Sequence, residues 1–249
     1  MDDASRAASA LRSSMYEPTR SFRPVTCAGG WPASKVDVEW RCSHFTRYLG
    51  RTTMADRILV FYGSYRSDRQ GIRLARYLVR ALQKRGAAAE LIDAKEIGLP
   101  MLDRMYKEYP EGGAPSTLLE LAGKIRTADG FLFVSGEYNW GMQPGLKNLT
   151  DHFLEEWFWR PAAVASYSAG RFAGVRAATA WHGTLSEMGM VVISSALAVG
   201  GISHALDADA NPTGEGGAAL DRAFPRFADD LAWWIEAARS QRAKTPPPY

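Results

Sequence analysis

Apolar positions fall into short continuous runs separated by stretches of helical period, and this alternation sets the expected architecture. The first run, Ile58 to Phe61, stops at Gly63-Ser64 and is followed by an amphipathic pattern. Ile72, Ala75, Leu78, Val79 and Leu82 share one face, Arg73, Arg76, Arg80 and Lys84 lie off it, and Gly86 closes it. A run this short does not make a helix, and Gly-Ser is turn chemistry. The spacing therefore predicts a buried strand, a tight loop and a helix with a glycine cap. Ala88 to Asp93 reads as a second strand and Leu118 to Arg126 as a short helix. Phe131 to Ser135, apolar almost throughout, reads as a third strand buried on both faces. Leu146, Leu149, Phe153, Leu154 and Trp157 return to helical spacing, Pro161 to Tyr167 forms a fourth strand, and Val175, Ala178, Trp181, Leu185 and Met188 mark the next helix. Met190 to Ile193 and Ala196 to Val199 supply a fifth strand in two pieces. Leu220, Phe224, Phe227, Leu231 and Trp234 define the last helix, with Pro225 near its start or at a kink. Residues 95–115 hold three prolines and three glycines and are expected to loop over the carboxyl edge of the sheet, and residues 202–217 form a second loop.

Five strands alternating with helices predict an α/β fold: a doubly wound, five-stranded parallel sheet with right-handed crossovers and helices on both faces. In the flavodoxin-like strand order 2-1-3-4-5 the loops after strands one, three and four are neighbours, and a ligand is expected in the cleft beyond their carboxyl ends. Residues 1–53 read differently. They are rich in Ser, Arg and Ala, broken by Pro18, Pro24 and Pro32, and without sustained period. They are expected to be a disordered or non-native leader, with Met54 an alternative start, residues 54–242 the domain, and residues 243–249 a proline-rich tail. The net charge of +3 lies in that leader, where seven Arg and one Lys face five acids, so the rest of the chain is neutral and nucleic acid is not an expected partner. No stretch approaches the roughly 18–20 uninterrupted apolar residues of a membrane span, and the leader has no apolar core for a secretory signal, so a cytoplasmic location is expected. Cys27 and Cys42 lack ligand-spaced partners, as do His152 and His182, so no metal site is expected.

Candidate chemistry sits in three small-residue loops. A strand running into a helix through Gly63-Ser64 aims free backbone N–H groups and the positive helix end at one spot, a natural anion site. Ser64, Arg66, Arg69 and Gly71 suit a phosphate, although a plain strand-to-helix turn with solvated arginines fits the same residues. The loop is neither a Walker loop nor a three-glycine dinucleotide fingerprint. The stretch from Ser135 through Glu137, Tyr138, Asn139 and Trp140 to Gly145 is aromatic-rich and suited to lie against a flat ring, or else to pack a core or an interface. Ser168-Ala169-Gly170 opens the third loop. No protein nucleophile or Ser-His-Asp order is visible.

Taken together, Gly63-Ser64-x-Arg66-x-x-Arg69-x-Gly71, Glu137-Tyr138-Asn139-x-Gly141 with Leu146-Lys147-Asn148, and Tyr167-Ser168-Ala169-Gly170 resemble the NADPH-dependent FMN reductases, a flavodoxin-like family that includes quinone, azo-dye and chromate reductases. The resemblance covers roughly residues 56 to 240. It implies that Ser64, Arg66, Arg69, Gln70 and Gly71 hold the FMN phosphate, Glu137, Tyr138, Asn139 and Trp140 the flavin ring, and Ser168 and Gly170 its far side. It also implies ping-pong transfer of hydride from NADPH or NADH to FMN and on to a small acceptor such as a quinone, with the flavin supplying the chemistry. This chain departs from the pattern at two places: Gly136 stands where a proline usually precedes Glu-Tyr-Asn, and Gln143 precedes a displaced Pro144. A flavodoxin-type electron carrier or a flavin-bound redox sensor would share the same loops. The consecutive Trp157, Phe158 and Trp159, with Tyr106 and Tyr109, predict an exposed aromatic patch and a homodimer or tetramer joined near the flavin.

Overall fold

The structure, a computed structural model, describes residues 55–249, and the leader assigned to residues 1–53 lies outside the described residues. Its strands are β1 (Arg57–Tyr62), β2 (Ala88–Asp93), β3 (Gly130–Gly136), β4 (Pro161–Tyr167) and β5 (Val191–Val199). All pair in parallel in the order β2-β1-β3-β4-β5. The helices are α1 (Ile72–Lys84), α2 (Ala94–Ile97), α3 (Ser116–Thr127), α4 (Pro144–Asp151), α5 (Val175–Glu187), α6 (Ile202–Ala205) and α7 (Gly214–Lys244).

Alternation along the central strands divides the core in two. Ile58, Val60 and Tyr62 of β1, Leu132 and Val134 of β3, and Ala163, Ala165 and Tyr167 of β4 face α1 and α7. Leu59, Phe61, Phe131, Phe133, Ala162 and Val164 face α3, α4 and α5. Every residue of β3 and β4 is buried, as expected for strands covered on both sides. The apolar stripe of α1 (Leu74, Ala75, Leu78, Leu82) sinks into the first core, and Gly86, at φ +91°, ends the helix in the left-handed conformation a glycine tolerates best.

Three elements differ in detail from the sequence expectation. The two pieces of the fifth strand are one strand with a register shift opposite Ala162 and Val164, and Asp230 of α7 satisfies the irregular backbone by accepting from the Ser195 N–H at 3.0 Å. Residues 95–115 contain the short α2, capped by the Asp93 carboxylate, and a 3-10 turn at Tyr106–Glu108. Residues 202–217 contain α6 and the first turn of α7, so Pro225 lies inside the last helix.

Of the expected aromatic patch, Trp157 is core and Phe158, Trp159, Tyr106 and Tyr109 are half-buried. Trp157 is completely buried, with Phe131 at 5.0 Å, Phe61 at 5.3 Å, Phe133 at 6.0 Å and Phe153 at 6.2 Å between ring centroids. Tyr106 packs on Phe153, while Phe158 and Trp159 hold Tyr249 of the tail at 5.3 and 4.8 Å. The 3-10 turn at Glu155–Trp157 lets consecutive rings point in different directions, which a single helix face cannot do.

Candidate functional site

Three connections leave the carboxyl ends of β1, β3 and β4, which are adjacent in the sheet, and their residues line one cleft of about 220 Å³. Ser64, Arg66, Arg69 and Gln70 come from the first, Gly136, Glu137 and Tyr138 from the second, and Tyr167, Ser168 and Ala169 from the third. The shared cleft is the topological switch point, because β1 and β3 are neighbours whose crossovers run in opposite directions. A wider cavity of about 490 Å³ shares Arg66 and Tyr138 with the cleft and is walled by Tyr65, Leu99, Met101 and Pro144.

The first loop is built for close approach. A Cβ on Gly63 would fall 2.2 Å from the Leu146 Cβ, so only glycine lets the loop lie on α4. The backbone N–H groups of residues 65–70 donate to no group among the described residues, and α1 points its amino end the same way. Ser64 is buried, with its hydroxyl 3.0 Å from the Tyr138 hydroxyl, tying the first loop to the second. Arg66 is exposed and its guanidinium pairs with the equally exposed Asp68, which leaves it able to swing toward an anion.

Arg69 is held differently. Its Nη1 donates to both oxygens of the buried Asp93 at 2.6 Å and its Nη2 meets Glu96 at 3.3 Å. Burial works against its charge, but the bonds and charge of Asp93 outweigh it, so its pKa lies above the ordinary arginine value. The guanidinium therefore braces the loop against β2 and contributes positive potential. Gly71 also has a structural role: a Cβ there would lie 1.9 Å from the Tyr167 ring, so its bareness admits the tyrosine. Gln70 faces the cleft with its Oε1 buried and unpartnered among the described residues, an acceptor that a ligand hydroxyl would satisfy.

In the second loop Tyr138 and Gly141 exchange backbone hydrogen bonds of 3.0 and 2.9 Å around Asn139 and Trp140, whose φ angles are +49° and +76°. Two successive left-handed residues make a primed hairpin turn, which is strained for tryptophan. The turn places Asn139 and Trp140 on the rim, with Trp140 69% exposed. Glu137 is almost fully buried. It pairs with the Arg176 guanidinium and accepts from the Arg176 backbone N–H at 3.2 Å, capping α5. Arg176 in turn lies 4.5 Å from the Trp140 ring and 5.0 Å from Phe172.

In the third loop the Ser168 hydroxyl donates to the Gly170 carbonyl at 2.7 Å, and open space surrounds Gly170. Of the eleven site residues read from the sequence, Ser64, Arg66, Arg69, Gln70, Glu137, Tyr138 and Ser168 line the cleft, whereas Gly71, Asn139, Trp140 and Gly170 support or rim it. Asn148 also supports: its side chain accepts from the Leu102 N–H and donates to the Pro100 carbonyl, both at 2.8 Å, which pins the loop after β2. The His152 Nδ1 contacts the Asn148 carbonyl at 2.8 Å, and no metal-type cluster exists among the described residues.

Sequence reasoning assigned no role to Asp93, Gln143 or Arg176, and quoted Tyr167 without giving it one. The buried partner of Arg69 has no local signal, because its acid comes from a different strand. Gln143 had one, as a polar residue at a place where the pattern expects an imino acid.

The sequence profile of the NADPH-dependent FMN reductase family matches residues 57–204, more than half of the chain. A quinone reductase of Pseudomonas putida is 29% identical over 74% of this chain and 96% of its own length. The NAD(P)H-dependent FMN reductase of Saccharomyces cerevisiae is 26% identical over 45% of this chain, a stretch spanning 64% of that relative, which is less than two thirds of its length. Among solved structures, the flavoenzyme NAD(P)H:(acceptor) oxidoreductase FerB of Paracoccus denitrificans aligns with TM-score 0.58 and 25% identity, covering 74% of this chain and 99% of that one. With the five-stranded order, the three converging loops and the match over residues 57–204, the chain belongs to the NADPH-dependent FMN reductase family.

Proposed function

We propose that this protein is an FMN-dependent NAD(P)H oxidoreductase that passes electrons from a reduced nicotinamide to a small acceptor such as a quinone. The observation behind the reading is the convergence of an open anion loop, an aromatic second loop and a small-residue third loop on one cleft. These residues suit FMN: the N–H groups of residues 65–70, without an acceptor among the described residues, and the exposed Arg66 offer a phosphate several donors, and the Gln70 Oε1, unpartnered among the described residues, offers a hydroxyl an acceptor. Held by these residues, FMN would supply the hydride-accepting and electron-donating chemistry, and a reduced nicotinamide and the acceptor would use the same cleft in turn.

The protein's own groups bind and orient. Ser64 and Tyr138 join the phosphate side to the ring side, and the Asp93–Arg69 pair keeps the first loop against β2 while adding positive potential. Glu137 is already bound to Arg176, so it fixes the second loop. The adjoining cavity of about 490 Å³ suits a planar, largely apolar acceptor. Its Tyr65 hydroxyl is committed to the Ala94 carbonyl and its Asn148 amide to residues 100–102, leaving rings, methyl groups and Arg66 to face a ligand. A cytoplasmic, dimeric or tetrameric enzyme is part of the same proposal. No helix among the described residues is long and apolar enough to cross a membrane.

The test is to purify the protein, release its chromophore and identify it by mass, then follow NADPH oxidation with a quinone present. FMN and steady turnover are expected. FMN without NADPH oxidation would favour an electron carrier or a redox sensor.

A further inference from the structure

Behind the cleft runs a buried polar chain. Gln143 is completely buried and donates from its Nε2 to the Tyr167 hydroxyl at 2.8 Å. Tyr167 donates to the Tyr62 hydroxyl at 3.3 Å, and Tyr62 donates to the Arg69 carbonyl at 3.4 Å. The carbonyl can only accept, which sets the direction of the whole chain. Burial raises the pKa of both phenols above the ordinary tyrosine value, far above it for Tyr62, so they stay neutral and serve as relays of hydrogen bonds.

Two glycines make room for this chain. A Cβ at Gly136 would stand 2.9 Å from the Gln143 Nε2 and 3.0 Å from the Tyr167 hydroxyl, and one at Gly71 would stand 1.9 Å from the Tyr167 ring. The two positions where this chain departs from the family pattern, Gly136 and Gln143, thus meet in space, and the first creates the space the second occupies. The Gln143 Oε1 is buried without a partner among the described residues, a cost that an apolar side chain would avoid. The one bond this buried amide makes is the donation from its Nε2.

We infer that Gln143 is a positioning residue for the flavin site: through Tyr167 and Tyr62 its amide holds the Arg69 carbonyl inward, so that the N–H groups of residues 65–70 face the cleft. The inference rests on the flavin reading. It explains how a second loop with one expected proline missing and the other displaced to Pro144 stays registered with the first, because a directed hydrogen-bond chain from Gln143 through Tyr167 of β4 to Tyr62 of β1 replaces local ring stiffness.

The experiment compares wild type, Gln143→Met and Tyr167→Phe with the double variant, as purified holoproteins. It reads FMN dissociation constants, melting temperatures and the visible circular dichroism of the bound flavin. Gln143→Met keeps the volume and removes the donor, and should weaken FMN about five- to tenfold, the equivalent of one hydrogen bond, and alter the dichroism. Tyr167→Phe keeps the ring and should do the same even if the Gln143 variant folds poorly. The double variant should lose no more than either single one, as members of one chain do. Unchanged FMN affinity in both single variants, or losses that multiply in the double variant, would overturn the inference while leaving the flavin reading intact. A wild-type protein that takes up no FMN overturns both.

Discussion

Each residue that touches the cleft carries a different balance of exposure and partnership, and that balance predicts what its loss does. The Arg66 guanidinium is exposed and pairs with Asp68, a pair that contributes little to stability. Arg66→Ala should therefore leave the melting temperature alone and weaken FMN roughly ten- to hundredfold, the worth of one charge-assisted bond. Equilibrium titration of the apoprotein with FMN checks this, and an unchanged affinity would remove Arg66 from the phosphate site. Asp93 is the reverse case. Its carboxylate is buried and holds Arg69 through both oxygens, so Asp93→Ala leaves a largely buried guanidinium without its main partner. The expected cost is about 3 kcal/mol or more in urea unfolding, with FMN affinity falling as the first loop loosens. Both arginines were legible in the sequence as one kind of residue. Only Asp93, arriving from β2, separates the ligand-ready one from the brace.

Within elements, the deciding quantity is how closely backbones approach. Gly63 and Gly71 bracket the first loop, one against Leu146 of α4 and the other against the Tyr167 ring. Gly71→Ala places a methyl group inside that ring, so it should destabilise at the upper end of the ~1–3 kcal/mol typical of overpacking, or more. Chemical unfolding measures it, and a neutral Gly71→Ala would contradict the close packing of Tyr167. The second loop makes an opposite prediction. Trp140 is held at φ +76° in a turn that favours glycine, and its ring offsets the strain only by lying beside Arg176. Trp140→Gly relieves backbone strain of about 1–3 kcal/mol and forfeits a cation–π contact of about 0.5–1 kcal/mol. The variant should melt no lower than wild type, and a large drop would show that the ring is more than a rim. The turn itself was not legible, because Asn-Trp carries no glycine at the position where such turns usually show one.

At the scale of the whole molecule, most of the large apolar residues exposed among the described residues lie on the rims of the site, with Val191, Trp233 and Tyr249 elsewhere. Trp140, Phe172 and Val175 are exposed at 69%, 56% and 44% on one side, and Tyr65 and Met101 at 45% and 80% on the other. We propose these rims as the surface a two-fold partner would cover, since Trp157 itself is core. Light scattering at micromolar concentration should report a dimer or tetramer, and a Phe172→Glu variant should dissociate it. A monomer with full flavin and full activity would end that proposal. Trp157→Ala, by contrast, removes the centre of the second core and should cost about 3–5 kcal/mol, read by unfolding and independent of assembly.

The sequence by itself determined the number and positions of the central strands, their parallel alternation with helices and the three small-residue loops that follow strands one, three and four. Those features follow from local period and from the handedness of crossovers, whereas the order of the strands came from the resemblance to the flavodoxin-like pattern. Only the tertiary structure decided which side chains in the loops face the cleft and which are already bound. Arg69 is taken by an acid 24 residues away, Gly71 by a tyrosine on β4, and Gln143 joins a chain of phenols reaching back to β1. Such partnerships depend on which strands lie adjacent and how near their side chains come, and these are distances that no spacing along the chain encodes.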